Sequence, residues 1–161
     1  MAPSIIVPTR SVNGVRIPTV GYGTMLFPDP DRAAELIQGA LECGYRHIDT
    51  ARKYGSEEWV GAGIRASGLA RKDIWVTTKV TEENAKADDF KRSVDTSLRT
   101  MGLDYVDLLL IHWLQPKVPL EETLDALAQA KKDGLAKNIG VSNFTVALLD
   151  EAVAKCAEPL L

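Results

Sequence analysis

Five short apolar runs, each followed by a stretch in which apolar residues recur three and four positions apart, divide this chain into repeating units. The runs are TVGYGTM (19–25), YRHIDT (45–50), DIWVTTKV (73–80), DYVDLLLIHW (104–113) and KNIGVSN (137–143). Their length and their β-branched and aromatic content predict strands. The stretches 31–43, 56–66, 86–100, 120–133 and 145–155 carry the helical period instead. A strand followed by a helix, repeated about every 30 residues, predicts an α/β fold with a parallel sheet covered by helices.

Local punctuation supports these divisions. Asp29-Pro30 suits a helix entrance, because proline there gives up a donor that would be orphaned anyway. Gly44 and Gly134 fall where the first and fourth helices should stop, since glycine accepts the left-handed backbone that ends a helix. Upstream, Asn13-Gly14 stands between apolar residues, a strong signal for a tight turn. Residues 5–17 therefore read as a hairpin that precedes the repeating units of 19–155 and closes the bottom of the sheet.

Four polar side chains interrupt this pattern where strands should end: Asp49, Lys79 and His112 close or follow apolar runs, and Tyr54 lies in the loop after one of them. In a TIM-type (β/α)8 barrel, groups at the C-terminal ends of the strands converge on one rim and carry the chemistry. Alternation places Val106, Leu108, Leu110 and His112 on one face of their strand, the apolar members filling the barrel and the histidine topping it. Tyr45, His47 and Asp49 share a face in the same way, and His47, two residues deeper than Asp49, reads as a hydrogen-bonded core histidine.

Length changes the picture. A closed barrel takes about 250 residues, whereas this chain has 161 and holds five strand-helix units. The expectation is one domain, residues 1–161, forming the N-terminal part of an incomplete barrel. Its outer strands would keep unpaired edges, which invite a complementary C-terminal segment or a second chain. A smaller open sheet that folds alone is the other architecture.

With 19 basic and 22 acidic residues the net charge is -3, which argues against an electrostatic grip on nucleic acid. No apolar stretch reaches membrane-spanning length and the N-terminus does not read as a secretory leader, so a cytoplasmic chain with no membrane partner is expected. Cys43 and Cys156 lack metal-like spacing and read as small buried thiols.

Taken together, GYRHIDTARKYGSEEWVG (44–61), TTKV (77–80), DYVDLLLIHW (104–113) and KNIGVSNF (137–144) resemble the aldo-keto reductases, in this order and over roughly residues 5–158. The flavour resembles that of the bacterial branch that includes 2,5-diketo-gluconate reductases. The resemblance implies reduction of a small aldehyde, ketone or keto-sugar by NADP(H), with Tyr54 as general acid. A free phenol has a pKa near 10, and a nearby cation favours its ionised form. Lys79 would supply that charge, Asp49 would hold the ammonium, and His112 would orient the carbonyl and stabilise its developing negative charge.

The resemblance also assigns Ser142 and Asn143 to the nicotinamide carboxamide, Thr24 and Asp49 to the same floor, and Trp113 and Met25 to the substrate pocket. Adenosine 2′-phosphate contacts would lie beyond Leu161. GYGTM at 21–25 is no dinucleotide fingerprint, because no third glycine follows at position 26. Met25 and Thr81 stand where many relatives carry a bulky aromatic, which would widen the pocket. Two other classes remain open: a non-catalytic, cofactor-binding regulatory subunit, and an imine-forming aldolase acting through Lys79. Poor turnover by the chain alone is the further expectation.

Overall fold

Residues 7–27 and 29–161 are described by a computed structural model. A two-stranded hairpin, β1 (Thr9–Val12) and β2 (Val15–Pro18), opens the chain and pairs Val12 with Val15. Asn13 (φ 50°) and Gly14 (φ 81°) make its turn, both in the left-handed region that two-residue hairpins need. Residues 5 and 6 of the expected hairpin lie outside the described residues. The Asn13 side chain donates to Leu160 O at 3.4 Å, tying the hairpin to the far end of the chain.

Five parallel strands follow in chain order: β3 (Tyr22–Gly23), β4 (His47–Asp49), β5 (Trp75–Val80), β6 (Val106–Ile111) and β7 (Ala136–Val141). Helices α1 (Ala33–Glu42), α2 (Glu57–Ala66), α3 (Ala87–Met101), α4 (Leu120–Lys132) and α5 (Val146–Lys155) alternate with them. The first expected strand shrinks to two residues, yet Thr24 N still donates to Asp49 O at 3.0 Å.

Asp29 caps the entrance to the first helical segment by accepting from Asp31 N at 3.1 Å, with Pro30 in the first turn. Gly44 (φ 105°) and Gly134 (φ 77°) turn the chain out of α1 and α4. Close helix approach explains two other glycines in α2. A Cβ on Gly61 would fall 2.0 Å from Met101 O, and one on Gly63 would fall 2.7 Å from the Ile37 side chain. Both contacts are far inside van der Waals range, so α1 and α3 pack against bare backbone.

The two faces of the sheet differ. Ile48, Val76, Leu109 and Ile139 are fully buried against Ile37, Val60, Phe90, Leu124 and Leu127 of the helices. On β6, Leu108 and Leu110 face the other way and are half-buried, with Leu110 lying over Gly140 of β7. The expectation that they fill an enclosed interior is thus met only in direction, because five strands leave that face partly uncovered. Leu160 bridges to Ile139 in parallel and Leu161 N donates to Ile139 O at 2.9 Å, so the chain's last residues lie along the outer edge of β7.

The cysteine reading is corrected. Cys43 is exposed and Cys156 half-buried at the margin of the core, both as free thiols, because each sits at the cap where its helix ends. No helix among the described residues is long and apolar enough to cross a membrane.

Candidate active site

Parallel register sets the heights of the rim residues. Asp49 pairs with Thr77, and Lys79, two residues further along β5, pairs with Leu110. His112 stands one residue past β6, where its N–H donates to Val80 O at 2.9 Å. Tyr54 ends a short 3-10 turn, Arg52–Tyr54, closed by Tyr54 N donating to Ala51 O at 3.0 Å and released by Gly55 (φ 66°). That turn folds the phenol back over the ends of β4 and β5.

The four side chains meet. Lys79 Nζ donates to Asp49 Oδ1 at 2.5 Å and to Thr50 O at 2.9 Å, and reaches toward Tyr54 OH at 3.5 Å. Two ammonium hydrogens are committed, and the third faces the phenol across a distance longer than an ordinary hydrogen bond. An oxygen that accepts from an ammonium keeps its own hydrogen free to donate elsewhere. The Lys79 side chain is 8 % exposed, whereas that of Asp49 is 36 % exposed. The ammonium is thus almost wholly removed from water, while its carboxylate partner stays partly wet.

His112 completes the arrangement edge-on, its ring 5.6 Å from that of Tyr54 and inclined at 80°. Burial holds its pKa below the ordinary imidazole value, and the Lys79 ammonium pushes the same way. The ring is therefore neutral at neutral pH, with one N–H to donate. Its Nδ1 is buried without a hydrogen-bond partner. Asn143, in the left-handed region at φ 60°, donates through Nδ2 to His112 O at 2.9 Å and to Ser142 Oγ at 3.0 Å. The turn after β7 is thereby fastened to the end of β6.

A cleft of about 620 Å³ opens over this group, lined by Met25, Leu26, Lys53, Tyr54, His112, Trp113 and Asn143. That size suits a small ligand. Met25, Leu26 and Trp113 are 59 %, 83 % and 47 % exposed, an apolar wall with little behind it. A groove of similar size between α3 and α4, lined by Ala87, Glu122 and Ala126, lies on the outer helical layer away from these groups.

Thr24 is placed differently from the expected cofactor floor. It is 1 % exposed, and its hydroxyl is engaged with Ser56 Oγ at 2.8 Å and Asp49 O at 3.3 Å. Ser56 Oγ also meets Thr50 Oγ1 at 3.0 Å, and Glu57, 3 % exposed, accepts from Thr78 Oγ1 at 2.7 Å. These hydroxyls and the carboxylate form a buried brace under Asp49 and Thr50, which sequence reasoning missed. The polar pair Ser56-Glu57 at the start of α2 is the signal that was present for it. Lys53 was missed as well, although it sits beside Tyr54 in the same motif. His47 lies deeper, bonded to Thr77 Oγ1 at 2.9 Å, with burial lowering its pKa.

The sequence and the fold have counterparts among known proteins. The sequence profile of the Aldo/keto reductase family matches residues 19–160. Methylglyoxal reductase DkgB of Escherichia coli O157:H7 is 45% identical over 140 residues, which are 86% of this chain and 52% of that protein. Glyoxal reductase of Bacillus subtilis is 42% identical over 86% of this chain and 50% of its own length. A crystal structure provisionally assigned as a 2,5-diketo-D-gluconic acid reductase B superposes with TM-score 0.92 at 39% identity, covering 96% of this chain and 55% of that one. A Bombyx mori aldo-keto reductase in complex with NADP gives TM-score 0.90 at 34% identity, over 98% of this chain and 57% of that one. The chain spans about half the length of the relatives it matches.

Proposed function

This chain belongs to the aldo/keto reductase family, and we propose that its rim is the proton-donating part of a nicotinamide-dependent carbonyl reductase site. The observation that carries this reading is the placement of the Lys79 ammonium 3.5 Å from the Tyr54 phenol oxygen while Asp49 and Thr50 hold it there. Tyr54 donates its hydrogen to the substrate oxygen, and the ammonium offsets the charge left on the phenolate. His112 donates its N–H to the same oxygen and fixes the carbonyl over the phenol. Met25 and Trp113 bound the apolar side of the substrate cleft.

When bound, NADPH supplies the hydride that no side chain can. The rim fits such a group: Nδ2 of Asn143 is engaged internally, which leaves the Oδ1 acceptor and the Ser142 hydroxyl to meet a carboxamide. Asp49 reaches the same floor with a side chain one-third exposed. Thr24 contributes from beneath, by holding the Asp49 carbonyl. Small aldehydes and ketones, keto-sugars among them, are the substrate class. The edge at β3, the part of the β7 edge that Leu160 and Leu161 leave unpaired, and the partly covered face of β6 suit a complementary barrel segment.

NADPH absorbance followed with methylglyoxal and with a keto-sugar tests the reading, using the 161-residue chain alone and with a complementary C-terminal segment. Turnover that depends on the added segment and disappears in Y54F is the expected result. Turnover untouched by Y54F would overturn it. The imine-forming alternative gains nothing from the geometry, since Lys79 is held by a carboxylate and a carbonyl; borohydride trapping should label no adduct there.

A further inference from the structure

Lys53 is the cation of the cleft that the chemistry above leaves unused. It immediately precedes Tyr54 in the 3-10 turn, its side chain is 50 % exposed, and it lines the same cleft as Tyr54, His112 and Trp113. Its ammonium donates to Glu82 Oε1 at 2.8 Å. Glu82 does not line that cleft; it borders the neighbouring groove with Glu83, Lys86 and Gln115. The carboxylate therefore anchors the ammonium from behind, at the boundary between the two depressions, and two of its three hydrogens remain for the cleft side. Met25, Leu26 and Trp113 supply the apolar part of the same lining.

From this placement we infer that Lys53 is a specificity residue that selects carbonyl substrates bearing an anionic group, with Glu82 as its positioning residue; the inference rests on the reductase reading of the same cleft. An exposed ion pair contributes little by itself and is readily shared with an incoming anion, whereas a charge-assisted hydrogen bond from a positioned ammonium is among the stronger contacts available to a ligand. A carboxylate and a phosphate monoester have the same recognition chemistry at this point. Glu82 and Glu83 are the acidic groups that face Lys53, and both raise its pKa, which keeps it charged across the neutral range.

Equilibrium binding tests the inference without requiring turnover. The indole N–H resonance of Trp113 is followed while the chain is titrated with two matched pairs, phenylglyoxylate against its amide and glyceraldehyde 3-phosphate against glyceraldehyde. The wild-type chain should bind at least one anion about tenfold more tightly than its neutral match, the effect of one charged hydrogen bond. K53M should abolish that ratio and K53R should restore most of it. E82Q should reduce it in part, by loosening the ammonium. Which pair shows the preference identifies the anion. An anion preference that survives K53M would assign it to Lys79 or His112 and overturn the inference, as would equal binding of both members in both pairs. If binding follows Lys53 but no NADPH is consumed in any combination, the reductase reading fails instead.

Discussion

Two clusters built from the same residue types sit at opposite ends of this sheet, and they do different things. At the rim, Lys79 pairs with Asp49 and lies 5.0 Å from the Tyr54 ring centroid. At the other end, Arg71 and Lys137 pair with Asp107 and flank Tyr105, at 4.3 Å and 4.0 Å from its ring centroid. The lower carboxylate is used up: Oδ2 accepts from Arg71 Nη2 at 2.8 Å and from Val76 N at 3.0 Å, while Oδ1 faces Lys137 Nζ at 3.5 Å. Both of its cations also lie over the Tyr105 ring. At the rim the ammonium reaches the phenol oxygen itself, and a cleft lies above. A cation over a ring holds two elements together; a cation at the oxygen acts on the atom that can lose a proton.

The sharpest way to break this comparison is to remove one hydroxyl at each end. Y54F should lower carbonyl reduction by about 10²–10⁴-fold, the usual worth of general acid catalysis, with the urea midpoint unmoved. Y105F should leave turnover as it was. Equal losses at both ends would end the distinction.

Stability should show the reverse order. D107A takes its carboxylate from the partly buried Arg71 guanidinium and leaves the buried Val76 N–H unpaired, and should cost about 3 kcal/mol, read from urea unfolding. D49A should cost about 2 kcal/mol, because Lys79 retains Thr50 O and Asp49 is already one-third wet. A larger loss at Asp49 than at Asp107 would make the rim the structural cluster. Smaller still, Y105L should cost about 1 kcal/mol through lost cation–π contact, while catalysis stays intact.

The smallest expected effect is a drift with pH. Burial lowers the pKa of both His47 and His112 below 6.5. Below that value the unfolded chain binds protons that the folded one refuses, so stability is full above about pH 6.5 and falls as pH drops toward the folded values. Urea midpoints at pH 7.5 and 5.5 measure the slope, and H47Q should flatten part of it.

Much of this could be read from the sequence. Period alone located all five helices to within two residues, since an apolar stripe such as Phe90, Val94, Leu98 and Met101 on α3 is local. The alignment of Asp49, Lys79 and His112 at strand ends followed from the same periodicity. What stayed hidden depends on pairing across distant segments: Arg71 finds Asp107 from 36 residues away, and Thr24 finds Ser56 from 32. No window of sequence shows that Thr24 turns inward to Ser56 rather than upward to a ligand. The half-buried Leu108 and Leu110 were misjudged for a similar reason, because coverage depends on how many strands curl around them.

Strand order in the sheet is the order of the chain, β3 through β7, each strand laid beside the one made just before it. Every addition to the growing sheet spans a single crossover, so contact order stays modest for a parallel architecture. Emerging from a ribosome residue by residue, each new strand meets a template already in place. The fold can thus be assembled vectorially, with one edge open for growth at every stage.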